Sequence, residues 1–137
     1  MLAAFAATFI YGRETYSLAR SVYLGGDGCR VTSVTDGDTV RLHCGGIRLI
    51  KARLTGFDAP EVYSPKCFSE FWSGTKATWA LRWRIWTADE VKVVLTGSDR
   101  YGRHLASMFI DGRSASQIMT EIDLARHYSG GRREGWC

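Results

Sequence analysis

Residues 30–54 read RVTSVTDGDTVRLHCGGIRLIKARL, and this stretch decides the fold. Two short runs rich in β-branched residues, 30–35 and 39–43, flank the turn sequence Asp36-Gly37-Asp38. Such an arrangement predicts a β-hairpin that turns near Gly37. After a second turn at Gly45-Gly46, residues 47–54 predict a third strand. The domain is therefore expected to begin with three consecutive strands joined by tight turns.

The next segment, residues 68–86, changes to a helical period. Aromatic side chains recur there at helical spacing and form one stripe: Phe68, Trp72, Trp79, Trp83 and Trp86. We interpret the stripe as the buried face of an amphipathic helix that packs on the sheet. The other interpretation, a platform on which bases stack, is less favoured because the stripe is continuous and is backed by charged residues.

The rest of the chain predicts two strands, at 91–96 and 104–110, and a helix from Ser114 to about Ile122 with Ser114 as its N-cap. The Gly- and Arg-rich tail from Ser129 is expected to be irregular. The predicted fold class is mainly β with α (α+β), a five-stranded OB-fold barrel with a helix between strands 3 and 4 and a short C-terminal helix.

Composition limits the protein to one globular domain. The chain has 137 residues, of which 45% are hydrophobic and 23% charged, and these values exclude a disordered, a collagen-like and a polytopic membrane protein. A net charge of +4 suits a polyanionic partner but is too small to identify one. We expect residues 29–137 to form the domain and residues 1–28 to be a signal-like or anchor segment plus linker.

The apolar run MLAAFAATFIY at residues 1–11 is shorter than the roughly 20 residues that span a bilayer. It is typical of a secretory signal, although no Lys or Arg precedes it. The alternatives are an N-terminal helix and the remnant of a longer anchor. We expect an exported protein, periplasmic or secreted, with a membrane attachment only if this segment is an uncleaved anchor.

Four cysteines are consistent with export, because an even number in a small domain favours disulfides. They allow three pairings. If residues 29–44 form a hairpin that turns near Gly37, Cys29 and Cys44 face each other, which leaves Cys67 to pair with Cys137. Four reduced cysteines in a cytosolic protein remain the alternative.

Several acidic residues have the chemistry of a metal-dependent hydrolytic site. Asp38 and Asp58 come from separate turns and could supply carboxylates to a hard cation such as Ca²⁺, with the backbone carbonyl of Ala59 as a third oxygen. Glu61 could then orient and deprotonate a water. Each of these residues alone has an ordinary structural explanation, so the prediction depends on the combination.

Arg53 and Arg103 complete this combination, because guanidinium groups suit the oxygens of a phosphodiester in its transition state. The sequence thus contains acids for a metal, an acid for a water and arginines for a phosphate. This inventory is what phosphodiester cleavage requires.

Three motifs carry a resemblance to a known family. Residues 34–40 (VTDGDTV), 53–61 (RLTGFDAPE) and 99–103 (DRYGR) resemble the staphylococcal nuclease (thermonuclease-like) family in order and in spacing. The resemblance covers roughly residues 30–128. Cys67 and the closing Gly-Trp-Cys are similar to a bacterial branch with an exported, disulfide-bearing domain. One departure is Asp123, which stands where a glycine is usual, so the second helix is expected to end differently.

The resemblance implies a Ca²⁺-dependent OB-fold nuclease that cuts DNA, RNA or both and leaves 3′-phosphates. It also implies the role of each matching residue. The matching positions are Asp38, Asp58 and Ala59 (carbonyl) for calcium, Glu61 for the general base, Arg53 and Arg103 for the phosphate, Asp36 beside the metal without binding it, and Tyr101, Arg100 and Tyr128 for the substrate.

A second hypothesis is a non-catalytic module of the same family that binds nucleic acid or protein. The retained carboxylates favour the enzyme, because acids beside a phosphate site repel DNA unless a metal intervenes. The expected partner is a nucleic-acid substrate, with no stable protein partner, and the expected state is a monomer.

Overall fold

The computed structural model describes residues 28–45 and 49–137. The strands are β1 (Cys29–Asp36), β2 (Thr39–Cys44), β3 (Leu49–Leu54), β4 (Gly56–Asp58), β5 (Val91–Ser98), β6 (His104–Ile110), β7 (Arg113–Ser114) and β8 (Arg126–Tyr128). The helices are α1 (Phe68–Thr87) and α2 (Ala115–Glu121). This composition, mostly strands with two helices, confirms the predicted α+β class.

The hairpin of β1 and β2 is antiparallel, as the alternating β-branched pattern predicts. Cys29 and Cys44 are register partners at its open end and form a disulfide with Cα atoms 4.1 Å apart. The second disulfide joins Cys67 to Cys137, at the end of the tail. Both pairings agree with the sequence prediction, and the described part of the chain has no free cysteine.

The main sheet has the strand order β1-β2-β3-β6-β5, with β7 added at β6. β2 and β3 are antiparallel, as are β5 and β6, whereas β3 and β6 pair in parallel, with Ala52 opposite His104. β1 and β5, the two ends of this order, contact each other. The arrangement is OB-like and agrees with the predicted barrel architecture.

Three strands were not predicted from the sequence: β4, β7 and β8. They contain only two or three residues each, too few for an alternating pattern. β4 and β8 form a separate antiparallel pair, with Asp58 opposite Arg126. This pair brings the C-terminal part of the domain beside Asp58.

Helix α1 contradicts one prediction, because its aromatic stripe faces solvent instead of the sheet. Trp72, Trp79 and Trp83 are 55%, 56% and 64% exposed. The buried positions are small, aliphatic or hydrogen-bonded: Glu70, Gly74, Ala77, Thr78, Leu81 and Ile85. Small residues lie inside because the helix approaches the chain closely, and an indole at these positions would not fit.

Helix α2 begins at the predicted cap, since the Ser114 hydroxyl accepts a hydrogen bond from the Gln117 N–H at 3.1 Å. Its end corrects the expectation about Asp123. That residue adopts φ 57°, and the N–H groups of Asp123 and Leu124 donate to the carbonyls of Thr120 and Met119. This pattern is a Schellman termination, so Asp123 takes the left-handed conformation that glycine usually supplies.

Some expectations fall on residues 1–27 and 46–48, which lie outside the described residues. They are the signal-like or anchor segment with its linker, and the beginning of the third strand at residue 47. Within residues 28–45 and 49–137, no helix has both the length and the apolar composition needed to cross a membrane.

Candidate active site

Two buried carboxylates from separate turns lie side by side. Asp38 ends the β1–β2 turn and Asp58 ends β4, and they are 6% and 1% exposed. The N–H of Ala59 donates to Asp38 Oδ2 at 3.1 Å, and the Thr39 hydroxyl donates to Asp38 Oδ1 at 3.0 Å. These bonds fix the Asp38 carboxylate against the residue that follows Asp58.

Arg53 links the two carboxylates from β3. Its Nη2 lies 3.2 Å from Asp58 Oδ1 and 3.6 Å from Asp38 Oδ2, and the side chain is 9% exposed. A guanidinium is the cation best suited to a buried pair of this kind, because its charge is spread over several planar donors. Arg53 therefore places a positive charge within reach of both buried carboxylates.

Helix α1 packs closely against the two acidic turns, residues 36–38 and 58–61. A Cβ at Gly37 would lie 2.7 Å from Ala77 Cβ and 2.9 Å from Ala59 Cβ. A Cβ at Gly74 would lie 2.8 Å from the Pro60 and Glu61 carbonyl oxygens. Only glycine fits at these contacts, which hold the turn of residues 58–61 against the helix.

Asp36 and Glu61 flank the carboxylate pair. Asp36 Oδ1 accepts a hydrogen bond from the Val62 N–H at 3.3 Å. Burial raises the pKa of Asp36; the hydrogen bond from Val62 opposes this rise, and the charges of Asp38 and Glu61 add to it. The Glu61 side chain is 42% exposed, so one face of the cluster opens to solvent.

Arg103 lies outside the acidic cluster, in the loop between β5 and β6, and is held in place by Asp99 of the same loop. Asp99 Oδ1 accepts from the Arg103 N–H at 2.9 Å, and Asp99 Oδ2 accepts from Arg103 Nε at 2.7 Å. Desolvation raises the pKa of Asp99, but the hydrogen bonds from Arg103 and from the Tyr101 N–H lower it by a larger amount. The pKa of Asp99 is therefore below its ordinary value. The Arg103 side chain is 51% exposed and does not contact the buried carboxylates.

Two adjoining cavities connect these groups. A groove of about 1220 Å³ is lined by basic and aromatic residues, including Tyr101, Tyr128 and Arg132. A smaller pocket of about 280 Å³ contains Asp36, Asp38 and Glu61. Arg53, Arg103 and Arg133 line both. A polyanion in the groove would thus lie across arginines whose other side faces the acids.

The remaining predicted substrate residues line the groove. Tyr101 is 70% exposed, and Arg100 Nη2 donates to its hydroxyl at 2.8 Å. Arg53 Cζ lies 5.5 Å from the centre of the Tyr128 ring, and the Tyr128 hydroxyl donates to the Gly131 carbonyl at 2.7 Å. The structure therefore brings both tyrosines to the arginine-lined groove.

Sequence reasoning missed the contribution of the C-terminal tail. Arg133 donates to Asp58, and its guanidinium lies 3.4 Å from Glu61 Oε1 and 3.8 Å from Asp38 Oδ2. Asp58 Oδ2 also accepts from Trp136 Nε1 at 3.1 Å and from Arg126 Nη2 at 3.3 Å. The only sequence signal was the pairing of Cys137 with Cys67, which returns the tail to the body of the domain.

Comparison with known proteins identifies the family. A family model described as Staphylococcal nuclease homologue matches residues 51–134. The chain belongs to this family. A search of curated proteins finds no match. Members of the staphylococcal nuclease family generally hydrolyse nucleic acids and depend on Ca²⁺. The matched range contains Arg53, Asp58, Glu61 and Arg103, whereas Asp38 precedes it.

The acidic cluster fits a calcium ion. Arg133 contacts Asp38 and Asp58 through Nη2 and Glu61 through Nη1, so the three carboxylates surround one positively charged group. Carboxylate oxygens are the donors that Ca²⁺ prefers. Cys67, Glu70 and Cys137 form another cluster, but its sulfurs are joined in a disulfide and do not offer thiolates.

Proposed function

We propose that the protein is a Ca²⁺-dependent nuclease that hydrolyses the phosphodiester bonds of DNA, RNA or both and leaves 3′-phosphates. The observation that carries the proposal is that Asp38, Asp58 and Glu61 surround one guanidinium, that of Arg133, in a pocket that adjoins a basic and aromatic groove. Family membership supports the nucleic-acid substrate.

In this proposal the carboxylates of Asp38 and Asp58 and the carbonyl of Ala59 hold the cation. Asp36 adjoins them without binding it. Bound Ca²⁺ supplies a positive charge that stabilises the charge developing on the phosphate oxygens. Burial of Asp58 at 1% exposure strengthens this electrostatic interaction, because little water screens it.

Glu61 acts as the general base and removes a proton from the attacking water. Oxygen from that water forms the new bond to phosphorus, the bond to the 5′ oxygen breaks, and the 5′ oxygen takes up a proton from solvent and leaves as a hydroxyl, so the phosphate stays on the 3′ side. Glu61 suits the role because its carboxylate adjoins the buried acids yet remains 42% exposed to water.

Arg53 and Arg103, which line the same groove, hold the phosphate. Arg53 is fixed by Asp58, and Arg103 is ordered by Asp99, so both guanidinium groups are preorganised. Tyr101, Arg100 and Tyr128 line the same groove and contact the rest of the substrate.

The test is cleavage of single-stranded DNA, duplex DNA and RNA by the full chain, with Ca²⁺ and with a chelator. Glu61→Gln is expected to lower turnover by roughly 10²–10⁴-fold while calcium binding persists. Glu90→Gln, an exposed acid outside the site, is the matched control. Calcium-independent cutting, or a Glu61→Gln variant with normal turnover, contradicts the mechanism. Nucleic-acid binding without cleavage favours the non-catalytic module instead.

We also propose that the protein acts in an oxidising compartment, periplasmic or extracellular. The two disulfides, Cys29–Cys44 and Cys67–Cys137, support this location, because cytosolic thiols are kept reduced. Thiol counting on denatured protein from each cell fraction tests the proposal. Free thiols in the exported fraction contradict it.

A further inference from the structure

The outward side of α1 is a surface of a distinct chemical type, which we call the aromatic face: Phe68, Phe71, Trp72, Trp79, Trp83 and Trp86. All six side chains are at least 38% exposed. The opposite side of the helix contacts the turn of residues 58–61 through Gly74 and the β1–β2 turn through Ala77. The helix is therefore locked in an orientation that presents these rings to solvent.

Cations accompany the rings on this surface. Arg82 Cζ lies 4.8 Å from the centre of the Trp79 ring and 5.9 Å from that of Trp86. Lys76 is exposed on the same helix. Glu70 is the only acidic residue of α1, which the structure describes over its whole length, and it is buried. The aromatic face thus combines positive charge with open π-surfaces and has no exposed carboxylate.

We propose that the aromatic face binds single-stranded nucleic acid by stacking unpaired bases on its indole rings. A polyanion complements the cations, and bases stack on aromatic rings without sequence preference. The aliphatic residues Leu81 and Ile85 are buried, so every large apolar side chain that α1 exposes is aromatic. Surfaces that bind single strands combine such rings with cation–π contacts from arginine, as Arg82 makes with Trp79 and Trp86.

The length of the surface fits a strand of several nucleotides. From residue 68 to residue 86 the helix rises about 27 Å, at 1.5 Å per residue. The helix packs against the turn of residues 58–61, and none of its residues lines the groove. A strand bound to the aromatic face would therefore lie near the proposed active site but outside the groove. The inference rests on the proposed nucleic-acid substrate but not on calcium chemistry.

Binding is measured by anisotropy of a fluorescent 15-mer of thymidine, in chelator, with the full chain. Trp79→Leu combined with Trp83→Leu is expected to weaken binding of this strand at least 25-fold, from roughly fivefold or more per tryptophan. Binding of duplex DNA is expected to stay unchanged, because its bases are already stacked. Phe109→Leu, an exposed ring on β6, is the matched control.

Equal binding of the oligonucleotide by the double variant and the control overturns this proposal. So does a double variant that loses binding to anionic lipid vesicles but keeps the oligonucleotide. The substituted side chains are more than half exposed, so the fold is expected to persist, and a melting curve verifies it. Because the readout is binding without metal, a failure of catalysis leaves this result interpretable.

The C-terminal tail carries a second, independent inference, which rests on the proposed calcium site. The Arg133 guanidinium contacts the three carboxylates to which the proposal assigns the cation and its water. A guanidinium is always protonated in proteins, so these carboxylates already hold one positive charge. A calcium ion and the Arg133 guanidinium would compete for these carboxylate oxygens, so each would weaken the binding of the other.

Other tail contacts hold Arg133 in place. Trp136 Nε1 donates to Asp58, the Trp136 ring lies 4.1 Å from Arg126 Cζ, and Cys137 is tied to Cys67. We infer that Arg133 is an internal counter-ion that competes with calcium, so metal binding requires the tail to withdraw from Asp58. The tail then sets the calcium concentration at which the enzyme works.

Calorimetric titration of the full chain with CaCl₂ tests the competition. Arg133→Gln is expected to bind calcium about tenfold more tightly than wild type, because the competing state is removed. Arg132→Gln changes the same charge at the neighbouring, exposed arginine and serves as control. Cys137→Ser keeps Arg133 but releases the tail, and is expected to shift affinity in the same direction.

The outcomes separate the two proposals. Equal calcium affinity of Arg133→Gln and Arg132→Gln overturns the competition and leaves the calcium site standing. If no variant binds calcium, the calcium site and the competition both fail. Unfolding in chelator gives an independent readout, in which Arg133→Gln is expected to melt at a lower temperature than Arg132→Gln, because Asp58 loses a counter-ion. Identical melting curves would contradict the counter-ion role itself.

Discussion

Replacement of Gly74 by alanine tests whether α1 positions the turn of residues 58–61, which carries the proposed general base. The added Cβ would lie 2.8 Å from the Pro60 carbonyl oxygen and from the carbonyl carbon and oxygen of Glu61. These atoms belong to the backbone, so no side-chain rotation can relieve the contact. Ordinary contact begins at 3.4 Å, and the turn must therefore move by about 0.6 Å.

Two opposing terms set the effect on stability. Overpacking costs about 1–3 kcal/mol, and alanine gains about 1 kcal/mol over glycine in a helix. The net result is a destabilisation of up to about 2 kcal/mol, or a melting temperature lower by as much as roughly 8 °C. Activity is expected to fall more steeply, by roughly tenfold or more, because a 1 Å misplacement of a catalytic group can cost about 10²-fold.

Melting curves and initial cleavage rates at saturating Ca²⁺ measure both quantities. Gly135→Ala is the matched control, because a Cβ at that position meets no atom within 4 Å. The expected Gly74→Ala protein is folded at the assay temperature but has low turnover. If it melts above the control and cleaves at the same rate, the turn does not depend on this contact and the reasoning is refuted.

Three further predictions concern other parts of the site and its scaffold. Arg103→Lys is expected to lose roughly 10–100-fold in activity, the value of a charged hydrogen bond, because an ammonium lacks the guanidinium fork; normal activity would contradict a bidentate contact. Asp123→Gly is expected to raise the free energy of unfolding by about 0.5–1 kcal/mol, because relief of roughly 1–2 kcal/mol of left-handed strain exceeds the roughly 0.5–1 kcal/mol entropic cost of glycine; chemical denaturation measures it. The pKa of Asp99 is lowered from its ordinary value of 3.8, so ionised Asp99 stabilises the folded loop at pH values above 3.8. This contribution is lost as the pH falls through the lower pKa of the folded state. Asp99→Asn should therefore flatten the acid limb of a melting-temperature profile, and an unchanged limb would exclude this carboxylate.

The parts of the fold that depend on local sequence could be predicted. The β1–β2 hairpin follows from two β-branched runs around Gly37, and the Cys29–Cys44 bridge follows from equal distances to that turn. The acids and Arg53 could be proposed together because they lie close along the chain, on or beside turns.

Periodicity failed to orient α1, because it defines a stripe but not the side that faces the core. The buried side is determined by Gly74 and Ala77, whose small size permits contact with turns that lie elsewhere in the sequence. Hydrophobicity alone predicted that the tryptophans would be the buried residues of the helix. Only the three-dimensional positions of those turns show that close approach takes precedence over the burial of large rings.

The tail was beyond sequence reasoning for a different reason. Arg133 and Asp58 are far apart in the chain, and no regular pattern connects them. An arginine in a Gly-rich segment is usually solvated, so its place among the acids depends on the β4–β8 pair and on the Cys67–Cys137 bridge. Both are long-range features.

The parallel pairing of β3 with β6 also determines when the groove can form. Arg53 pairs across this junction with Leu105, and Arg103 lies just before the start of β6. A nascent chain that has not yet released β6 from the ribosome therefore possesses the acidic turns but no assembled groove. Pairing over such a long stretch of sequence is slow compared with hairpin closure. Synthesis of the two acidic turns and assembly of the groove are thus separated in time, and in the proposed nuclease the phosphate site is complete only after the two halves of the domain have joined.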